Sequence, residues 1–128
     1  MRTAIAEHFS HNSVPEIMQA LRQERRPEFV SWAEETCNTL ATRSPLALSA
    51  TFELLKRGKE MTLAQCLDME FRLDQEWLRH GDLIEGIRAL IVDKDKQPKW
   101  QHADIGDVTA GGILNLFDKK PDQVALAL

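Results

Sequence analysis

The chain has 128 residues, with 16 Lys and Arg against 20 Asp and Glu and a formal net charge of −4. This length suits one domain with its own core, and the acidic balance argues against non-specific nucleic-acid binding, which takes a clustered excess of Lys and Arg. Cys37 and Cys66 lack CxxC spacing and predict reduced thiols in an intracellular protein, and no apolar run approaches the roughly 20 residues that span a bilayer.

The predicted elements are all helices. Apolar residues recur at helical spacing along nearly the whole chain, and no segment alternates for long enough to predict a strand. We therefore expect one all-α domain over residues 1–128, with helices at about 3–9, 14–25, 28–41, 45–57, 62–80, 82–92 and 107–118.

Prolines and capping residues mark the first four helices. Ile5 and Phe9 are expected on the apolar face of the first helix, Ser13 is predicted to cap the second, and Pro27 is expected to end it. Ser44 is the predicted N-cap of the fourth helix. Because apolar residues surround most of that helix, we expect it to be buried on two sides.

The fifth helix is predicted to begin with a capping box between Thr62 and Gln65 and to run to about Arg79, before Gly81 ends it. Its inward-facing stripe is expected to contain Leu63, Cys66, Leu67, Glu70, Leu73 and Trp77. Asp82 is then the predicted cap of the sixth helix. A polar loop and a short last helix follow, and the tail after Lys119 is expected to fray.

Glu70 is the expected buried carboxylate, because it lies on that stripe. An ionised carboxylate there needs a cation, and Arg88 or Arg72 is the predicted partner. A role as a general acid or base would need a second group converging on the same pocket, so a structural role is the prediction.

Other polar residues give weaker signals. Glu76 and His80 lie four apart on one helical face but make only half a metal site, so no metal is predicted. Three histidines in turn-like contexts are expected at the surface: His8, His11 and His102. The arginines clustered among acidic residues predict a solvated helix end; they are Arg22, Arg25 and Arg26.

The segment from Asp82 to Trp100, DLIEGIRALIVDKDKQPKW, contains residues that helix periodicity does not explain. In their order and spacing they resemble the closing segment of the 3-hydroxyisobutyryl-CoA hydrolases, in the crotonase superfamily. The residues that carry the resemblance are Asp82, Glu85, Gly86, Arg88, Ala89, Asp93, Lys94, Asp95, Pro98, Lys99 and Trp100. Ser44-Pro45 and the run MEFRL at 69–73 are also similar, so the resemblance extends from about Ile5 to Phe117.

This resemblance implies the helical C-terminal region of a crotonase-like α/β spiral enzyme. The N-terminal core of such an enzyme supplies the oxyanion hole and the catalytic carboxylates, so no catalytic residue is assigned here and this chain alone is predicted inactive. The resemblance implies a coenzyme A thioester as the substrate of the intact enzyme, with no covalently bound cofactor. Lys94 matches the family's lysine that reaches the phosphates of coenzyme A; a solvated lysine beside Asp93 and Asp95 is the alternative.

The implied function is to close the acyl-CoA site and to pack subunits in a 3-hydroxyisobutyryl-CoA hydrolase-like enzyme of valine breakdown. The alternatives are the same part of an enoyl-CoA hydratase or isomerase, and a stand-alone helical module that binds protein partners. The expected partners are acyl-CoA, the missing N-terminal core and a second copy of the chain, but not nucleic acid or a membrane. The expected compartment is the cytoplasm or the mitochondrial matrix.

Overall fold

The computed structural model describes residues 1–118. The α-helices of this part are α1 Arg2–His8, α2 Val14–Arg22, α3 Pro27–Ala41, α4 Pro45–Gly58, α5 Leu63–Trp77, α6 Gly81–Ile87 and α7 Ala110–Asp118. A π-helical turn, Arg88–Val92, continues α6, and a 3₁₀ turn, Ile105–Asp107, precedes α7. Residues 1–118 contain no strand, which confirms the all-α prediction for that part; the predicted fraying of the tail concerns residues outside it.

The helix starts follow from local side-chain caps. The hydroxyl groups of Ser13, Ser44 and Thr62 each accept a hydrogen bond from a backbone N–H three residues further on. Gln65 completes the box, since the Thr62 N–H donates to its side-chain oxygen at 2.8 Å. All three predicted caps are confirmed. Thr109 caps α7 in the same way, accepting from the Gly112 N–H at 3.0 Å.

The predicted boundary at Pro27 is displaced. The second helix stops at Arg22, before the predicted end at residue 25, and Pro27 is the first residue of α3. Proline suits a first helical position, because its missing N–H would have no partner there.

Two clusters of buried apolar side chains form the core. The first joins α2, α3 and the 3₁₀ turn; its buried members are Val14, Ile17, Met18, Leu21, Ala33, Cys37 and Ile105. The second joins α4, α5 and α7; its buried members are Leu46, Ala50, Leu73, Ile113 and Leu116. Helix α4 packs on both clusters, through Phe52 on the first and Leu54 on the second, so its predicted burial on two sides is confirmed.

The predicted inner faces of α5 and α1 are largely wrong. Leu63 and Leu67 are 76% and 58% exposed, and Leu73 is the buried member of the predicted stripe. Ile5 of α1 and Phe9, which follows it, are exposed, whereas the buried residues of α1 are Ala4 and His8. Both cysteines are free, with Cys37 buried and Cys66 partly buried. Within residues 1–118, none of the helices combines the length and the apolar character that a membrane span requires.

Candidate functional site

The closing segment, defined here as residues 82–100, folds back on itself after α6. The N–H of Asp93 donates to the carbonyl of Arg88 at 2.8 Å, which closes a π-helical turn. The N–H of Lys96 then donates to the carbonyl of Ala89 at 3.0 Å. These bonds bring the DKDK loop beside the end of α6.

Arg88 joins the charged side chains of this segment. Its guanidinium forms a two-pronged contact with the Glu85 carboxylate at 2.7 and 2.8 Å. Its Nη1 also donates to Asp93 at 2.6 Å and to Asp95 at 2.7 Å. Such charge-assisted, two-pronged pairs are stronger and more directional than neutral hydrogen bonds.

The ionisation of these groups follows from the same contacts. The Arg88 guanidinium, and then the Lys99 N–H at 2.8 Å, lower the pKa of Glu85 to about 2. Arg88, followed by the Gln97 N–H, lowers the pKa of Asp95. The carboxylates raise the pKa of Arg88 still further above its ordinary value. Arg88, Glu85 and Asp95 are therefore charged at neutral pH.

Lys94 lies at the tip of the loop and is exposed. Its backbone has φ 56°, and Lys96 has φ 57°, so both occupy the left-handed region that favours glycine. Asp93 and Asp95 pair with Arg88, and no carboxylate within residues 1–118 forms an ion pair with the Lys94 ammonium.

Two tethers hold the closing segment on the helical body. The buried carboxylate of Asp82 accepts from the Ser44 hydroxyl and, at 2.9 Å, from the Gln101 N–H. The indole N–H of Trp100 donates to the carbonyl of Thr42 at 3.1 Å. The Trp100 ring also lies against Gly86, where a Cβ would stand 3.4 Å from its Cη2 atom. The segment is thus attached where α3 ends and α4 begins.

Asp82 therefore has a different role from the predicted one. His80 is the N-cap residue of α6, Gly81 is its first residue, and Asp82 lies in the first turn with its side chain turned to Ser44. Helix α5 ends at Trp77, two residues before the predicted end at about Arg79, and Gly81 begins α6 instead of capping α5. The sequence alone could not find the Asp82 contact with Ser44, because the two residues are 38 positions apart.

The Glu70 prediction is wrong. Glu70 is exposed, Arg72 pairs with Asp68 at 2.8 Å, and Arg88 pairs within the closing segment. The helix turns another carboxylate inwards, because Glu76 is buried and pairs with Arg79 at 2.8 Å. The buried acidic side chains of the described part are Glu24, Glu76 and Asp82.

His8 is buried, contrary to the prediction that it is exposed. Its Nε2 lies 2.7 Å from the carboxylate of Glu24, and its ring packs at a tilt on Trp32 with 5.8 Å between centroids. Of the other two histidines, His11 is exposed as predicted, whereas His102 is partly buried and its Nδ1 atom has no hydrogen-bond partner among the described residues. The contact of His8 left no signal in the sequence, since its partner is 16 residues away.

The predicted solvated arginine cluster is correct only in part. Arg22 and Arg25 are exposed, whereas Arg26 is half-buried and pairs with Glu24 at 2.5 Å and with Glu7 at 3.0 Å. Glu24 also accepts from the N–H groups of Arg25 and Arg26, both at 2.9 Å. Arg26, and then His8 and the Arg25 N–H, hold the pKa of Glu24 well below its usual range.

The predicted half-site of Glu76 and His80 gains no third ligand in the described part. Residues 1–118 hold no group of three or more His, Cys, Asp or Glu side chains that could bind a metal ion. The His80 ring instead packs edge-on against Trp77, with 6.3 Å between centroids.

Two exposed apolar surfaces lie outside the core. The α6 apolar face extends along α6 and the π-helical turn and consists of Leu83, Ile84, Ile87, Leu90, Ile91 and Val92. The α5 apolar face consists of Leu63, Leu67 and Phe71. Contiguous apolar surface of this kind marks interaction sites more often than isolated exposed leucines do.

Comparison with known proteins relates the whole described chain to one family. The family model for enoyl-CoA hydratase/isomerase matches residues 1–117. The 3-hydroxyisobutyryl-CoA hydrolase, mitochondrial, of Dictyostelium discoideum is 47% identical over 93 residues, which cover 72% of this chain and 24% of the relative. The human protein of that name is 39% identical over 109 residues, covering 85% of this chain and 27% of the relative.

Solved structures show the same arrangement of helices. A carnitinyl-CoA dehydratase from Mycobacterium thermoresistibile aligns with a TM-score of 0.81 and 35% identity, covering 94% of this chain and 34% of that one. An enoyl-CoA hydratase from Rhodobacter sphaeroides aligns with a TM-score of 0.81 and 34% identity, covering 91% and 34%. The chain thus spans about a quarter of the curated relatives and a third of the solved chains, in their C-terminal parts.

Proposed function

The chain belongs to the enoyl-CoA hydratase/isomerase family, and from this membership we propose that it closes the acyl-CoA site of a 3-hydroxyisobutyryl-CoA hydrolase-like enzyme. The substrate class is a short, branched hydroxyacyl-CoA, as formed in valine breakdown. The observation that supports this proposal most directly is the 47% identity with the Dictyostelium hydrolase. The cytoplasm or the mitochondrial matrix remains the proposed compartment.

The proposed role of Lys94 is to contact the phosphate groups of coenzyme A. Its side chain is exposed and has no carboxylate partner within residues 1–118, while Asp93 and Asp95 pair with Arg88. An ammonium group on a fixed loop binds phosphate by a charge-assisted contact, at little cost in loop ordering.

Nuclear magnetic resonance tests this role on the 128-residue chain. Addition of coenzyme A is expected to shift the amide signals around Lys94, whereas pantetheine, which lacks phosphate, is not. Lys94→Ala should weaken coenzyme A binding roughly tenfold, as expected for the loss of about 1.4 kcal/mol. Equal shifts with both ligands, or no shift up to about 10 mM coenzyme A, would contradict the phosphate contact.

The two apolar faces are the proposed docking surfaces. The α6 apolar face leads directly into the Lys94 loop, so we assign it to the N-terminal core of the enzyme, whose acyl-CoA site the loop would close. The α5 apolar face is the proposed contact with a second copy. Sedimentation at micromolar concentration should reveal self-association of the chain, and hydrophobic dye should bind it. A sharp monomer boundary would contradict the α5 assignment, and the absence of dye binding would count against an exposed docking surface on either face.

The chain alone is proposed to lack hydrolase activity. Thioester hydrolysis needs donors that stabilise the developing oxyanion, and the family supplies them from its N-terminal core. An assay for released coenzyme A thiol should therefore show no turnover by the 128-residue chain. Release at an enzyme-like rate would overturn the proposal that it acts as a closing part.

A general enoyl-CoA hydratase or isomerase is the second candidate. It is favoured by the solved structures of a dehydratase and a hydratase that align with the chain at 35% and 34% identity. The two candidates differ in their product: hydrolysis releases free thiol, whereas hydration leaves the thioester intact. A thiol assay of the enzyme that contains this chain separates them.

A further inference from the structure

Arg88 uses every nitrogen of its side chain inside the closing segment. Nε and Nη2 contact Glu85, and Nη1 contacts Asp93 and Asp95. With its donors occupied in this way, Arg88 is not the group that meets a ligand. Its two aspartate partners are the residues on either side of Lys94.

The backbone of the loop requires such an external support. Lys94 and Lys96 have φ values of 56° and 57°, and neither is a glycine. The left-handed conformation is unfavourable for a non-glycine residue, because its Cβ comes too close to the following carbonyl oxygen, so contacts elsewhere must hold it. Those contacts are the Arg88 pairs with Asp93 and Asp95, together with the Lys96 N–H bond to the Ala89 carbonyl at 3.0 Å.

The same pairs control the charge around Lys94. A carboxylate released from Arg88 could pair with the adjacent ammonium, because opposite charges within about 4 Å attract even near the surface. In the structure both carboxylates are turned to Nη1, at 2.6 and 2.7 Å. Lys94 therefore remains available to an anion from outside.

We propose that Arg88 is a positioning residue, which clamps Asp93 and Asp95 so that Lys94 between them is held in a left-handed turn with its ammonium free to bind a phosphate group. This inference rests on the proposed function, in which that phosphate belongs to coenzyme A. Arg88 touches no ligand and acts through Lys94.

Substitution of the two aspartates gives a test in which two explanations predict opposite changes in coenzyme A affinity. If Asp93 and Asp95 only offset the charge of Lys94, then the double variant Asp93→Asn with Asp95→Asn should bind coenzyme A more tightly. If instead their pairs with Arg88 hold the turn at Lys94, the same variant should bind coenzyme A more weakly, by roughly 5- to 10-fold. Both side chains are substantially exposed, so the variant is expected to fold.

Arg88 variants test the other half of the clamp. Arg88→Gln and Arg88→Lys are each expected to weaken coenzyme A binding by a similar factor, and to leave pantetheine binding unchanged. Arg88→Lys keeps the positive charge but loses the planar guanidinium fork. Weaker coenzyme A binding by this variant would therefore show that the geometry of the fork matters. Amide exchange should become faster at Lys96 and stay unchanged in α3. Arg72→Gln, which breaks an exposed pair with Asp68, is the matched control.

A double-variant cycle with Lys94 separates the possible outcomes. If Arg88 acts through Lys94, then Arg88→Gln should weaken binding no further once Lys94→Ala is present. If Lys94→Ala alone changes nothing, the proposed function fails. If Lys94→Ala weakens binding but the Arg88 variants do not, or if the aspartate variant binds more tightly, the proposed function stands and the positioning role is overturned.

Discussion

At the residue scale, single carboxylates that accept hydrogen bonds from several groups fix the local structure, and Glu24 is the example after α2. Glu24 is buried and accepts from Arg26, from two backbone N–H groups and from His8, and so it joins the end of α2 to α1 and the start of α3. A buried carboxylate is stable only with such partners. The turn after α2 therefore depends on one ionised side chain.

The depressed pKa values predict how stability changes with acid. The pKa of Glu24 lies far below its usual range, and that of Glu85 is about 2. Because the folded-state values are lowered, their stabilisation is complete above the unfolded pKa and is lost as the pH falls through the folded values. We expect the free energy of unfolding to fall steadily below about pH 5.

Urea titrations at several pH values check this expectation. Glu24→Gln should lower the free energy of unfolding at pH 7. It should also make that free energy depend less on pH in acid, because the variant has no carboxylate at position 24 to protonate. Glu70→Gln, which alters an exposed carboxylate, should leave the curve unchanged. An acid dependence in Glu24→Gln as steep as in the original chain would refute the role of Glu24.

Trp100 provides a second prediction at the residue scale. Trp100→Phe removes the N–H bond to the Thr42 carbonyl while keeping an aromatic ring, and should cost about 1 kcal/mol of unfolding free energy.

Gly86→Ala should change the unfolding free energy by no more than about 1 kcal/mol, since its Cβ would meet the Trp100 ring at 3.4 Å, whereas Gly86→Leu should displace the ring. Urea unfolding and tryptophan fluorescence measure both effects; equal tolerance of Ala and Leu would show that the ring does not pack there.

At the scale of elements, α5 has one buried side and one exposed apolar side. Leu73 is 4% exposed and belongs to the second core cluster, whereas Leu67, on the same helix, is 58% exposed. The helix thus has more apolar surface than its own domain covers. This excess is why its periodicity mispredicted the inner face.

A pair of substitutions in α5 tests this division. Leu73→Ala should cost about 2–5 kcal/mol, because it leaves a cavity in a packed core. Leu67→Ala should cost roughly 0.5 kcal/mol or less in the monomer, yet it should reduce self-association. Urea unfolding at low concentration and sedimentation velocity measure the two effects. Similar losses of stability in both variants would mean that Leu67 is buried in the folded chain.

For the whole molecule, the closing segment is held by side chains that are distant in sequence. Asp82 accepts from Ser44, the cap of α4, and from the Gln101 N–H, so one carboxylate ties both ends of the segment to the helical body. Trp100 adds the link to Thr42 at the end of α3. The position of Lys94 therefore depends on the fold of the first half of the chain.

Asp82→Ala tests this dependence. It leaves the Ser44 hydroxyl and the Gln101 N–H without their acceptor, and should cost about 1–3 kcal/mol. Amide exchange should increase in the closing segment more than in α2 and α3. Asp74→Ala, at an exposed position of α5, is the control. Unchanged exchange at residues 93–101 would mean that the tether does not hold the segment.

The sequence by itself determined the features that depend on near neighbours. The caps at Ser13, Ser44 and Thr62 need only a hydroxyl and an N–H three residues away, so their spacing was sufficient to predict them. The all-α class followed from periodicity, and the family followed from the ordered residues of the closing segment.

Only the tertiary structure decided which side chains are buried and which charges meet. Glu24 contacts His8, which is 16 positions away in sequence. Asp82 contacts Ser44 at a separation of 38 positions, and Trp100 contacts Thr42 at a separation of 58. Helical periodicity shows that a face is apolar, but whether that face is covered depends on where other helices pack. For this reason Glu70 and Leu67 were placed inside by the sequence and stand outside in the structure.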